Sequence, residues 1–343
     1  MAYTTIDDPT AYFQTKLYTG TGSSNAITGV GFQPDFCWIK NRGSTTAARV
    51  YDSVRGATKV IYTSENDEEG TNAQGLKSFN SDGFTMGTHA TLNGSNSNIV
   101  SWNWKANGSG SSNENGSINT TATSADTTSG FSIITYTGNG TSGATIGHGL
   151  STAPQAVFIK KRTAANWTVG HVGVGWAKNG KLNTVDSWGT SALSFNNTAP
   201  STSLITLGSG NVANANTETY VCYAFSNIQG FSKMGSYKGN GNADGTFVYT
   251  GFKPAMVIFK DITGDRDWTM LDNKRNTFNV MDKRLFPNNT DAENDADILD
   301  YTSNGIKIRS TNSSVNVSGN TYIYMAFAEN PFVTSTGVPA TAR

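Results

Sequence analysis

One feature limits what this chain can fold into: it repeats itself three times. Pro34-Asp-Phe-Cys-Trp-Ile-Lys40, Pro154-Gln-Ala-Val-Phe-Ile-Lys160 and Pro254-Ala-Met-Val-Ile-Phe-Lys260 share a proline, a run of apolar or small residues, and a lysine at the same spacing. Upstream of each lies a glycine turn: Tyr18-Thr-Gly-Thr-Gly22, Tyr136-Thr-Gly-Asn-Gly140 and Tyr237-Lys-Gly-Asn-Gly241. Each copy closes on a strand-like run: Ile99-Val-Ser-Trp-Asn-Trp104, Tyr220-Val-Cys-Tyr-Ala-Phe225 and Tyr322-Ile-Tyr-Met-Ala-Phe327. A period of about one hundred residues is too long for a solenoid turn and matches a small domain. What all three copies keep is scaffold, and what one copy alone keeps is a candidate for another role.

The spacing divides the chain into unit one (1–106), a linker (107–129), unit two (130–229), unit three (230–333) and a tail (334–343). The linker is built from Ser, Asn, Gly and Thr, so it reads as flexible, and the small polar tail reads as disordered. Units two and three follow without a linker and are expected to abut as a rigid pair.

Within a unit, the Pro-to-Lys run is continuously apolar and suits a central strand covered on both faces. The closing run alternates: Tyr322, Tyr324 and Ala326 face one way, Ile323, Met325 and Phe327 the other. Asp82-Gly-Phe-Thr-Met-Gly87 and Asn304-Gly-Ile-Lys-Ile-Arg309 each launch a strand from a turn dipeptide, expected to form a hairpin with the closing strand. The one helical stretch expected is short, around Asp52 to Thr58. With 36% apolar and 15% charged residues, the remainder is mostly turn and solvent-facing strand chemistry. The expected fold is all-β: three tandem small antiparallel β-sandwich or jelly-roll-like repeats.

Zero net charge without a basic cluster argues against nucleic acid, which requires Lys and Arg gathered on one face. No stretch has the ~20 apolar residues of a membrane span. The acidic opening Met1-Ala-Tyr-Thr-Thr-Ile-Asp-Asp-Pro9 lacks a signal-peptide core, so the expectation is synthesis in a cytoplasm without classical export. Cys37 and Cys222 sit in apolar runs and read as small buried hydrophobes, with a bridge between units one and two as the alternative.

Chemistry is sparse. His89, His148 and His171 are isolated from any nucleophile or metal-ligand spacing, and no carboxylate pair suggests the burial a glycosidase needs. No enzyme is expected. Asp291, Glu293, Asp295 and Asp297 alternate like the oxygen ligands of a calcium loop, without its glycine and terminal glutamate. Lys40, Lys160 and Lys260 recur, and Asp52-x-x-Arg55 recurs as Asp272-x-x-Arg275 while unit two loses both, so salt bridges within a unit are expected, with a ligand clamp as the alternative. Trp167 and Trp268 match and read as core. Trp176 and Trp188, beside Asp186, occur in unit two alone and are the candidate platform for stacking on a sugar.

The Asp-Gly-Phe strands, the Tyr-Thr-Gly-x-Gly turns, Val30-Gly-Phe-Gln-Pro34, Thr250-Gly-Phe-Lys-Pro254 and Tyr322-Ile-Tyr-Met-Ala-Phe-Ala328 resemble a repeated domain of unknown function. That domain is found in bacteriophage tail-fibre and virion structural proteins, mostly of marine phages, and Tyr3-Thr-Thr-Ile-Asp-Asp-Pro-Thr-Ala-Tyr-Phe13 is similar to their usual start. The resemblance implies a virion-surface protein assembled in the host cytoplasm, with other virion proteins and copies of itself as partners, a trimer favoured. It leaves two readings open: an appendage that binds host glycan without cleaving it, and a purely architectural part.

Overall fold

The computed structural model describes residues 2 to 341, and the fold is all-β. Each unit builds one large antiparallel sheet in the same spatial order. An opening strand (Phe13–Thr19, Phe131–Thr137, Ser232–Lys238) pairs with the closing strand (Asn98–Trp104, Thr219–Ser226, Thr321–Pro331). That strand pairs with the lysine strand (Phe36–Asn41, Pro154–Lys161, Phe252–Asp261), which pairs with a fourth strand (Arg49–Asp52, Thr168–His171, Thr269–Asp272). A smaller sheet covers one face of each. It comprises three strands in unit one, two in unit two and four in unit three.

The alternation of the closing strands assigns their faces. Ile99, Tyr220 with Cys222 and Ala224, and Tyr322 with Tyr324 and Ala326 enter the unit's own core beneath its small sheet. The opposite residues, Val100-Trp102-Trp104, Val221-Tyr223-Phe225 and Ile323-Met325-Phe327, enter one core shared by all three units. There Phe327 of unit three packs on Phe13 and Trp104 of unit one, at 5.2 and 5.1 Å between ring centres, and on Phe225 of unit two at 5.9 Å. A void of about 20 Å³ remains among these rings, the space of about one water. The lysine strands are buried on both faces as their apolar runs require, but one of those faces belongs to the neighbours.

The glycine turn is locked the same way in every unit. The hydroxyls of Tyr18, Tyr136 and Tyr237 donate to the carbonyls of Leu92, Ala213 and Val315 at 2.9, 2.6 and 2.8 Å. The next residue is always a fully buried asparagine: Asn93, Asn214 and Asn316. Its carbonyl oxygen accepts a turn N–H, from Thr21, Asn139 and Asn240, at 3.0, 2.9 and 2.9 Å. Its amide donates back to turn and loop carbonyls such as Gly87, Thr141 and Asn242. The second glycine of each turn, Gly22, Gly140 and Gly241, has φ near +70°, a region that side chains resist.

Four expectations are corrected. The segment 107–129 is ordered: Ala122–Asp126 adds a strand to unit two's large sheet, Ser111 bridges Thr123, and Ile118 enters the core. Side chain and backbone hydrogen bonds, such as Asn107 N–H to Ser124 Oγ at 2.8 Å, do there what apolar residues do elsewhere. The tail to residue 341 folds back, with Val333 bridging Pro339 and Ser335 bonded to Asp7; its last two residues lie outside those described. Gly83–Met86 and Gly305–Ile308 belong to the small sheets, so they form no hairpin with the closing strands. Asp52 to Thr58 is a turn capped by the Asp52 carboxylate on Arg55 N–H at 2.8 Å, and short helical turns occur instead at Ala90–Asn93, Ala192–Phe195 and Ser313–Asn316.

Replacing Asn214 by Ala strips several buried groups of their partners at once. The variant is expected to unfold about 2–3 kcal/mol more easily in urea, and a loss below 1 kcal/mol would contradict the lock.

Candidate functional site

The recurring charges lie where units meet. Lys160 of unit two donates to the carbonyls of Asp67 in unit one and Ala165 in its own unit, both at 2.8 Å. Lys260 of unit three reaches Val185 in unit two and its own Arg266, both at 2.9 Å. Lys40 of unit one reaches Thr290 in unit three at 2.8 Å and its own Thr46. Two leans on one, three on two, and one on three: the contacts close a ring within a single chain. Burial pushes each amine's pKa down to about 8, so at neutral pH the ammonium still supplies these carbonyls with donors. The expected carboxylate partners for these lysines are replaced by carbonyls.

The same rotation governs the next contact. The N–H groups of Glu69, Trp188 and Glu293 donate to the carbonyls of Arg162, Ile262 and Arg42 of the adjoining unit at 2.8, 2.9 and 2.8 Å. At two boundaries the side chains form bidentate ion pairs, Arg162–Glu69 at 3.0 and 2.7 Å and Arg42–Glu293 at 2.9 and 2.6 Å. Each glutamate also takes an arginine of its own unit, Arg55 or Arg275, at 3.1 Å. Those arginines hold Asp52 and Asp272 at 2.5 Å, so these two pairs are within a unit as expected. Burial raises the Glu69 pKa, but Arg162 and Arg55 more than offset that and hold the carboxyl below its usual range.

Each aspartate then meets a donor from the neighbouring closing strand. Tyr223 OH reaches Asp52 at 2.6 Å, and Trp102 Nε1 reaches Asp272 at 3.0 Å. In unit three the matching closing-strand residue is Met325, which has no such donor. Unit two, facing it, carries no aspartate but His171, whose Nε2 lies 3.2 Å from the Tyr324 carbonyl. Its Nδ1 accepts Gly173 N–H at 3.0 Å, so the neutral Nε2–H tautomer satisfies both ends. Burial pulls this imidazole's pKa down to about 4. At this one boundary the set Asp, Arg, Glu and Arg becomes His171, Val174, Trp188 and Ile262.

Trp188 is therefore an interface residue. It is 6% exposed, lies beside Trp268 of unit three, and covers Gly180 so closely that an added Cβ would fall 2.0 Å from its indole. Trp176 is 7% exposed, edge-on to Phe195 in unit two's own core, and seated over Gly170. Neither presents a face to a sugar, and the expected stacking platform is overturned. Asp186 pairs with Lys181 at 2.7 Å on the wall of a cleft of about 270 Å³.

The acidic run does not converge on a cation either. Glu293 is held by Arg42 and Arg275, and Asp295 pairs with Lys283 at 2.7 Å in the strand Asn294–Thr302, which also carries Asp297. Asp291 is exposed beside Asn289. Among the described residues, no group of three or more His, Cys, Asp or Glu could hold a metal. His89 and His148 each accept a backbone N–H at Nδ1, from Thr91 and Leu150. Cys37 and Cys222 are unbridged thiols in different units' cores, each with its pKa pushed up by burial.

Spacing along the chain hid the partners of this ring, because the loop between lysine strand and glutamate differs in length between units. The one local signal is the Gly-Thr pair that follows both Glu69 and Trp188. The locking asparagine was more legible, standing six residues before Ile99, Tyr220 and Tyr322 alike.

A family model described as Domain of unknown function (DUF7483) matches residues 8–331, across all three units in one span. No curated protein matches, and no solved structure matches.

Two outcomes are expected. Trp188→Ala should lower stability by about 3 kcal/mol in chemical denaturation, since it empties a packed boundary; a change within 0.5 kcal/mol would contradict its placement. His171 has a folded pKa below its unfolded value, so the unfolded chain binds the extra proton and stability falls with pH between about 6.5 and 4. From pH 7 to 5 this group should cost about 2 kcal/mol, and His171→Gln should lose correspondingly less over the same range.

Proposed function

The chain belongs to the family of unknown function whose model spans its three units, and we propose that it is an architectural protein of a bacteriophage particle. In this reading it acts without catalysis, at the particle surface, by binding other particle proteins. The virion reading rests on the resemblance of its turn and strand motifs to phage structural proteins. The observation that favours an architectural part is the closed ring: three units share one core and one cycle of lysine and backbone contacts. A threefold block that a fibre would obtain from three chains is obtained here from one, which suits a rigid part mounted as a single copy per attachment point. The appendage reading loses the residues that carried it, because Trp176 and Trp188 are packed inside.

The test is mass spectrometry and cryo-electron microscopy of purified particles. The chain should co-purify at fixed stoichiometry, and a three-lobed density should contact other particle proteins. Absence from purified particles would overturn the proposal.

A further inference from the structure

We propose that a cleft around Tyr249, where unit three meets the start of unit one and the end of unit two, binds a saccharide. The strand Phe247–Tyr249 has counterparts in Asn25–Thr28 and Thr145–Gly147, each with one buried apolar side chain: Val248, Ile27 and Ile146. Those buried residues face Ile306, Phe84 and Ile205 across the small sheet. Units one and two flank them with Ala26 and Thr28, and with Thr145 and Gly147. Unit three alone flanks its residue with aromatics, Phe247 at 45% and Tyr249 at 54% exposure. Solvent-facing rings in one copy of three serve nothing the shared scaffold needs.

Tyr249 is exposed without being loose. Its hydroxyl lies 3.3 Å from that of Tyr3, and Tyr3 donates its proton to the Gly251 carbonyl at 2.7 Å. Tyr3 is further set edge-on to Phe332, 6.2 Å between ring centres. Gly251, at φ +84°, leaves room for this contact, since an added Cβ would come 2.8 Å from the Tyr3 hydroxyl. Phe247 lies over Gly305, whose strand neighbour is Tyr249, so the two rings border one bare glycine. A ring held at its far end gives up little freedom when a ligand stacks on it.

Beside Tyr249 opens a cleft of about 350 Å³, walled by Tyr3, Asn227, Gln229 and Lys233. Asn227 is oriented by accepting Met234 N–H at 2.7 Å, which leaves its amide N–H₂ as the group offered to a ligand. An aromatic face, two amides and an ammonium around a small cleft match a pyranose, which has an apolar C–H face and a rim of hydroxyl acceptors.

The site is separate from the architectural role. A particle protein that ignores glycans would overturn only this site, and a glycan binder absent from particles would overturn only that role. The test is a glycan array probed with the full chain, followed by titration calorimetry with the best oligosaccharide. Wild type should bind, Tyr249→Ala should weaken binding at least about tenfold with its melting temperature unchanged, and Tyr249→Phe should retain most of it. Tyr3→Phe should weaken binding less than Tyr249→Ala, by freeing the ring. Absence of binding across the array, or equal binding by Tyr249→Ala, would overturn the proposal.

Discussion

Everything in this molecule depends on the shared aromatic core. Trp104, Phe225 and Phe327 occupy the same place in three closing strands, and each meets rings from another unit. A buried aromatic side chain removes roughly 150–250 Å² from water, worth several kcal/mol at about 25 cal/mol per Å². No unit can keep that gain alone, because the inner face of its large sheet would then lie open to solvent. The units look like domains by length, yet they are stable as a set. The single family match across all three units agrees with that cooperative unit.

Closure of the ring explains why the boundaries differ in chemistry while keeping their geometry. The lysine and backbone contacts recur at all three, and they fix the distance between neighbours. Around them, a buried ion-pair cluster and a well-packed apolar set can be nearly equal in stability, whereas half of either is costly because it strands a charge. The four changes at the boundary between units two and three therefore belong together. Ile262 beside Glu69-like chemistry would leave a carboxylate unpaired, and Trp188 opposite an arginine would leave a guanidinium short of partners. His171 completes the exchange by supplying a donor to a carbonyl where Met325 offers none.

Period and alternation made the strands legible. The lysine runs are buried on both faces, and the closing strands divide their side chains as the pattern of residues 322–327 requires. What hides in a sequence is which second surface a face meets, since an inner face packed on neighbouring units has the same composition as one packed in a sandwich. The acidic residues show the same limit. Glu293 reads as part of a solvated or calcium-binding loop until Arg42, 251 residues away, is placed against it. Composition also misled at 107–129, where polar side chains hold an ordered path by hydrogen bonds that a count of apolar residues does not register.

Comparison among the copies separates scaffold from singularity, but burial must then decide what a singularity means. Trp188 and Tyr249 are both aromatic residues that one copy alone carries. Trp188 has lost its glutamate counterpart's charge and gained Ile262 as a neighbour, so its difference is compensated inside the protein. Tyr249 differs: its siblings are threonine and glycine, and Tyr3 fixes its hydroxyl end while the ring remains half in solvent. A change answered by a complementary change in its neighbour belongs to the fold. A change that is held in place and still leaves its ring in solvent points outward, to whatever that surface meets.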